Sequence, residues 1–218
     1  MFLFRPPTVY RPQGDTWLLA DALLGEDLAA ETRVLDLCAG SGALAVAAAQ
    51  RDAGRVTAID ISRRAVLATW LNARCRGLDV RVLHGDLLEP VAGERFDVIV
   101  ANPPYVPAAA DLLPTGGSAR CWDAGTDGRA VLDRICAEAP AHLAPGGVLL
   151  VVFSALCGEE LAIEKLEAAG LDTAVVGRSV EPFGPVMTAR ADLLEERGLI
   201  APGQRYEELV VVRGQAPR

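Results

Sequence analysis

Leu35-Asp36-Leu37-Cys38-Ala39-Gly40-Ser41-Gly42 closes one short aliphatic run and opens the Ala-rich stretch 43–51. A strand that turns through glycines directly into a helix is the first unit of an open α/β sheet. Gly40 and Gly42 let backbone approach a ligand at the mouth of that helix. The alternation continues along the chain. Aliphatic or β-branched runs fall at 33–37, 56–59, 80–83, 96–101, 147–153, 174–176 and 207–212. Between them, 43–51, 63–76, 129–143 and 158–169 are rich in Ala, Leu, Glu and Arg and read as helices. This predicts βαβ units and a mostly parallel sheet with helices on both faces. Asp15-Thr16 before Trp17–Leu24 reads as a helix N-cap. Pro145-Gly146-Gly147 and Gly170 read as helix stops. The Ala- and Pro-rich stretch 103–118 reads as a long loop, and long loops in compact domains often carry function.

With 218 residues, 51% of them hydrophobic and 23% charged, the chain is expected to form one globular domain over 1–218. Residues 1–30 form an N-terminal segment and helix in this reading, and 181–204 an insertion before the last strand. The net charge of −8 argues against stable nucleic-acid binding, which needs a basic surface. Every apolar run is broken by charge, Gly or Pro, so no membrane span is expected. Met1-Phe2-Leu3-Phe4-Arg5 carries no evident signal peptide. Five scattered cysteines without a C-x-x-C pair, and only His84 and His142, predict free thiols, no metal and a cytoplasmic protein.

Gly40-Ser41-Gly42-Ala43-Leu44-Ala45 also fits the G-x-G-x-x-A pattern of dinucleotide folds, with Asp60 downstream. Two features weigh against a dinucleotide. Asp36, at the end of the first strand, would repel a pyrophosphate but suits the ammonium and sulfonium of S-adenosylmethionine. A further acid, Asp86, follows the third run in His84-Gly85-Asp86-Leu87. In this reading Asp60 accepts from ribose hydroxyls and Asp86 from the adenine amino group, with Ile61 and Leu87 as apolar walls. Any one Asp could be a turn or cap residue; acids after three successive strands fit a ligand better.

After the fourth run comes Asn102-Pro103-Pro104-Tyr105. The prolines fix φ and donate no N–H, leaving the carbonyls of Asn102 and Pro103 as acceptors. These can hold a planar NH2 group while Tyr105 covers its flat face. That arrangement suits methyl transfer to an amide or exocyclic amine nitrogen, whose delocalised lone pair needs orientation more than a strong base. Asn102, Pro103, Pro104 and Tyr105 are therefore the expected catalytic residues.

With these motifs the chain resembles HemK-type class I methyltransferases that modify glutamine in proteins. It is most similar to the short branch without an N-terminal helical domain. The V-Y-x-P-x-x-D-T segment of that branch is Val9-Tyr10-Arg11-Pro12-Gln13-Gly14-Asp15-Thr16. Trp122-Asp123-Ala124-Gly125-Thr126-Asp127-Gly128-Arg129 and Arg205-Tyr206-Glu207-Glu208-Leu209-Val210 match further family signatures. The resemblance implies a seven-stranded Rossmann-like sheet, mostly parallel with an antiparallel last strand. It implies S-adenosylmethionine contacts from Thr16, Asp36, Cys38, Asp60, Asp86, Leu87 and Asn102, beside the Gly40 and Gly42 turn; Cys38 stands where the family has a glycine. The implied acceptor is the glutamine of a Gly-Gly-Gln loop in a class-1 translation release factor, and short-branch members also work with a small activator subunit. Alternatives are an adenine amino-methyltransferase acting on nucleic acid, a small-molecule tailoring enzyme, and a binding module without catalysis. The segment from Glu181 to Gly198 is expected to act as an acceptor-side lid or, at the least, to cap the domain.

Overall fold

The computed structural model describes residues 2–218 except Asp52. Seven strands form one sheet: β1 (Arg33–Leu37), β2 (Arg55–Asp60), β3 (Val80–His84), β4 (Phe96–Ala101), β5 (Leu143–Ser154), β6 (Asp172–Pro182) and β7 (Tyr206–Gln215). Their order is β3-β2-β1-β4-β5-β7-β6. The first five pair in parallel, and β7 runs antiparallel to both β5 and β6. The antiparallel last strand is the one the family resemblance implied. The α-helices are α1 (Gly14–Leu24), α2 (Ala43–Ala49), α3 (Arg63–Arg74), α4 (Ala130–Glu138), α5 (Glu159–Ala168) and α6 (Pro185–Glu196).

Side chains alternate across each strand, so neighbouring residues feed opposite cores. Val34, Val98 and Leu150 pack with Leu19 and Leu23 of α1 and Leu44 of α2. Leu35, Ile99 and Leu149 pack with Leu132 of α4, Leu166 of α5 and Leu194 of α6. With both faces covered, the central strands read as continuous apolar runs rather than alternating ones. Each fully buried aliphatic side chain contributes about 1.5–3 kcal/mol.

Several boundaries differ from expectation. The 129–143 helix stops at Glu138 and becomes a 3₁₀ turn, Ala139–His142, because Pro140 cannot continue the hydrogen-bond ladder. Pro145-Gly146-Gly147 lies inside β5, not at a helix stop. β6 is eleven residues long rather than three, held by pairing with β7 from Asp172↔Gln215 to Pro182↔Tyr206. Glu181 and Pro182 therefore belong to β6, and the separate element before β7 is α6. The N-cap of α1 is Gln13; Asp15 and Thr16 sit in the first turn, where both are buried.

The chain winds in one direction from β1 to β3 and in the other from β4. The crevice beyond the carboxyl ends of β1 and β4 is where open α/β sheets bind ligands.

Candidate active site

A cavity of about 990 Å³ opens at that crevice. Most of the expected site residues line it: Thr16, Cys38, Gly40, Asp60 and Ile61, then Asp86, Leu87 and the whole Asn102–Tyr105 turn. Asp36 and Gly42 do not line it. Asp36 is fully buried, and its Oδ2 accepts from Ala45 N at 2.9 Å. It thereby satisfies a donor in the first turn of α2. Burial pushes its carboxyl up to about 8, and the nearby Asp60 adds to the rise. Its Oδ1 is buried without a hydrogen-bond partner, and the carboxyl lies outside the cavity lining, against the first turn of α2. Gly42 caps α2 at φ 78°, and a Cβ there would lie 2.7 Å from Thr69 Cγ2. Its requirement is helix–helix packing rather than ligand contact.

Asp60 ties the two cofactor-side loops together. Its Oδ2 accepts from Gly40 N at 2.8 Å and its Oδ1 from Ser62 N at 2.7 Å. Burial raises its proton affinity, while those amides and the charges of Arg120 and His84 oppose the rise. Asp86 is paired with Arg134 Nη1 at 3.0 and 3.1 Å, so the charge of this wall is partly balanced. Cys38 at φ 59° and Leu87 at φ 45° both adopt the left-handed region, which costs a non-glycine residue about 1–2 kcal/mol. Strain of this kind concentrates at ligand sites. Neutral thiol at Cys38 follows from burial and from the neighbouring acids, which push its pKa well up.

The acceptor side centres on a chain of hydrogen bonds. Asn102 Nδ2 donates to Thr16 Oγ1 at 3.3 Å, and Thr16 Oγ1 donates to Asp15 Oδ1 at 3.0 Å. Asp15 Oδ2 accepts from the Tyr10 hydroxyl at 2.7 Å and the Tyr105 hydroxyl at 3.2 Å. Thr16 N adds a fourth bond to Asp15, at 2.6 Å. With its NH2 committed to Thr16, Asn102 keeps Oδ1 for an incoming donor. Tyr105 is held at both ends, since its carbonyl accepts from Cys157 Sγ at 3.1 Å. Burial raises the Tyr105 phenol well above its ordinary value, and the charge of Asp15 adds to this. It stays protonated and donating.

Asp15, Tyr10 and Glu207 are cavity residues that sequence reasoning did not assign to the site. The signal for the first two was present in the segment 9–16, where a Tyr and an Asp five residues apart converge on one bond. Glu207, at the start of β7, gave none.

Residues Glu181 to Met187 line the cavity at the end of β6 and the start of α6. From α6, Arg190 donates to Pro107 O at 2.9 Å and pairs with Asp123 at 2.5 Å. Just beyond it, Arg197 donates to Ala108 O and Ala109 O at 2.8 and 3.0 Å. Met187, Ala191 and Leu194 are buried in the sheet core. The segment is thus both a structural part of the domain and the wall that holds the 107–126 loop. Among the described residues, no group of three His, Cys, Asp or Glu side chains could hold a metal. No helix among them is long and apolar enough to cross a membrane.

Sheet order, crevice and an Asn-Pro-Pro-Tyr turn after β4 define a class I S-adenosylmethionine-dependent methyltransferase. The Methyltransferase small domain family model matches residues 14–114. A putative protein N5-glutamine methyltransferase of Methanocaldococcus jannaschii is 34% identical over 185 residues, covering 85% of this chain and 92% of that protein. A release factor glutamine methyltransferase of Xylella fastidiosa is 42% identical over 148 residues, covering 64% of this chain and 54% of that protein. The chain therefore spans nearly all of the archaeal relative and about half of the bacterial one. Among solved structures, E. cuniculi Mtq2, in the Mtq2–Trm112 complex responsible for methylation of the eRF1 translation termination factor, superposes with TM-score 0.61. It shares 23% identity, with 96% of this chain and 99% of that one covered. The chain belongs to the HemK-type class I methyltransferase family.

Proposed function

We propose that the protein transfers a methyl group from S-adenosylmethionine to the side-chain amide nitrogen of a glutamine in a protein, with a class-1 translation release factor as the favoured substrate. The observation that carries this is the fixed Asn102 amide. Thr16 takes its NH2, so Oδ1 faces the acceptor beside two prolines without N–H groups and a Tyr105 ring clamped by Asp15. Asp60 at the loops after β1 and β2 fits ribose hydroxyls, Asp86 fits an adenine amino group, and Ile61 and Leu87 fit the base as apolar walls. Gly40 and Cys38 give the cofactor's remaining part close backbone approach. S-adenosylmethionine supplies an electrophilic methyl on a sulfonium. This chain's own residues orient the acceptor NH2, through Asn102 Oδ1 and the carbonyls of Asn102 and Pro103, and stack its plane on Tyr105. Positioning of this kind can lower a barrier by about 7–11 kcal/mol in favourable cases. Hydrogen bonds from the NH2 to those oxygens strengthen as the nitrogen gains positive charge.

The net charge of −8 favours a protein acceptor over nucleic acid. The experiment is mass spectrometry of a release factor incubated with the protein and S-adenosylmethionine. One added methyl on the Gly-Gly-Gln glutamine is expected, and the Asn102→Ala variant should turn over about 100-fold more slowly. Methylation of oligonucleotides or metabolites alone would refute the reading.

A further inference from the structure

Glu207 is the second residue of β7, is 8% exposed and lies on the cavity wall. Its Oε2 is buried with no hydrogen-bond partner, and the Ser154 hydroxyl at the end of β5, a neutral donor near enough to favour the ionised carboxyl, closes no hydrogen bond either. The groups whose charge or dipole reaches it come from several elements. They are Asp15 on α1, Glu181 directly opposite on β6, Tyr10 on the N-terminal segment, Tyr105 after β4, and Cys157 after β5. None of these is a cation. The neighbouring acids have donors: Asp15 accepts four hydrogen bonds, and Glu181 Oε1 accepts from Ser179 Oγ at 2.8 Å. A buried carboxylate oxygen without a donor is costly, and a glutamine or leucine would fill the space more cheaply. Such an oxygen makes sense where a donor arrives with the substrate.

The amide reaction needs a proton acceptor. Once its lone pair has formed the new N–C bond, the amide nitrogen carries four bonds and a positive charge. One N–H must then break, leaving its electron pair on nitrogen. Carbonyl oxygens of Asn102 and Pro103 can accept a hydrogen bond but cannot keep the proton; a carboxylate can. We propose that Glu207 is a catalytic residue for this reaction, accepting an N–H of the acceptor amide and taking the proton that the methylated nitrogen loses. The inference rests on the amide-methylation reading above. Burial, with the nearby Asp15 and Glu181, raises the proton affinity of Glu207 against the opposing Ser154 hydroxyl, which suits a base working nearer neutral pH. The proton then passes to solvent at the cavity mouth, restoring the carboxylate.

Two measurements test this. The first compares pH profiles of kcat for wild type, Glu207→Gln and Glu207→Asp on a Gly-Gly-Gln peptide, with cofactor Kd measured alongside as a check on folding. Wild type should lose activity as pH falls through the Glu207 titration, above the ordinary carboxylate range. Glu207→Gln should keep cofactor affinity, lose about 100-fold in kcat and lose that acid-side limb, and Glu207→Asp should recover part of the rate. Full kcat with the acid limb intact in Glu207→Gln overturns the proposal. The second follows the Glu207 carboxyl by isotope-edited infrared difference spectroscopy, with no methyl donor present, as the peptide is added. A shift of the Glu207 band, absent in Glu207→Gln, is expected; an unchanged band overturns the proposal. A wild type that binds the peptide and shifts the band yet transfers no methyl would count against amide methylation and leave Glu207 as the acceptor contact.

Discussion

Asp15→Ala removes the one group on which two tyrosines converge. In the structure its carboxylate accepts from Tyr10 and Tyr105 hydroxyls, from Thr16 Oγ1 and from Thr16 N. Tyr10 is only partly buried and lines the cavity, so its hydroxyl can recover water. Tyr105 is 9% exposed, so its hydroxyl loses a charge-assisted bond that water replaces poorly. Such a bond is worth about 1.5–3 kcal/mol. Thr16 also loses the acceptor that orients its hydroxyl toward Asn102. If the bond holds the Tyr105 ring in its productive orientation, that energy appears in the transition state, and kcat/KM should fall about 10–150-fold. Tyr105→Phe removes the same bond from the other side and keeps the ring. The two changes should therefore be strongly non-additive, with a coupling of about 1.5–3 kcal/mol in a double-mutant cycle. The assay is peptide methylation kinetics for wild type, both single variants and the double variant, with circular dichroism to confirm folding. Additive losses, with a coupling below about 0.5 kcal/mol, would refute a role for the Asp15–Tyr105 bond in placing the ring.

Replacing both Arg190 and Arg197 by Ala frees the 107–126 loop from α6. Acceptor KM should rise about tenfold while cofactor Kd, measured by calorimetry, stays unchanged; an equal loss of cofactor affinity would contradict the division into two halves. Asp36→Asn keeps an acceptor for Ala45 N and removes a titrating group. The folded Asp36 binds its proton more tightly than the ordinary 3.8, with a value of about 8, so its contribution to stability is full at acid pH and is lost as pH rises toward 8. The decline should be about 1.4 kcal/mol per pH unit between those values, so between pH 5 and pH 7 urea unfolding should show the variant losing about 2.8 kcal/mol less. Parallel slopes for the two proteins would mean that Asp36 is ionised in the fold.

Helices read worst where a single residue overrode the pattern. Pro140 cut a continuous Ala-rich stretch in two, and the alternating polar run of β6 shows its length only through its partner β7. The cofactor loops read well because Asp60 closes β2 and Asp86 sits two residues beyond β3, both recognisable strands. Asp36 was the exception. Its type and position matched the pattern, yet its side chain points into the α2 interface, where burial drives it toward the neutral form.

The alternation of strands and helices, the glycine turn after β1 and the Asn-Pro-Pro-Tyr turn after β4 were legible in the sequence alone. They are local: a hydrophobic period, a φ that proline fixes and a donor that proline lacks are properties of adjacent residues. Which carboxylates are ionised, which phenols they hold, and which oxygens are left without a partner were decided only by tertiary structure. Asp15, Tyr105 and Glu207 are separated by 90 residues or more along the chain, and their proton affinities depend on burial and on each other's charge. Those quantities exist only once α1, the turn after β4 and β7 have met at the same end of the sheet.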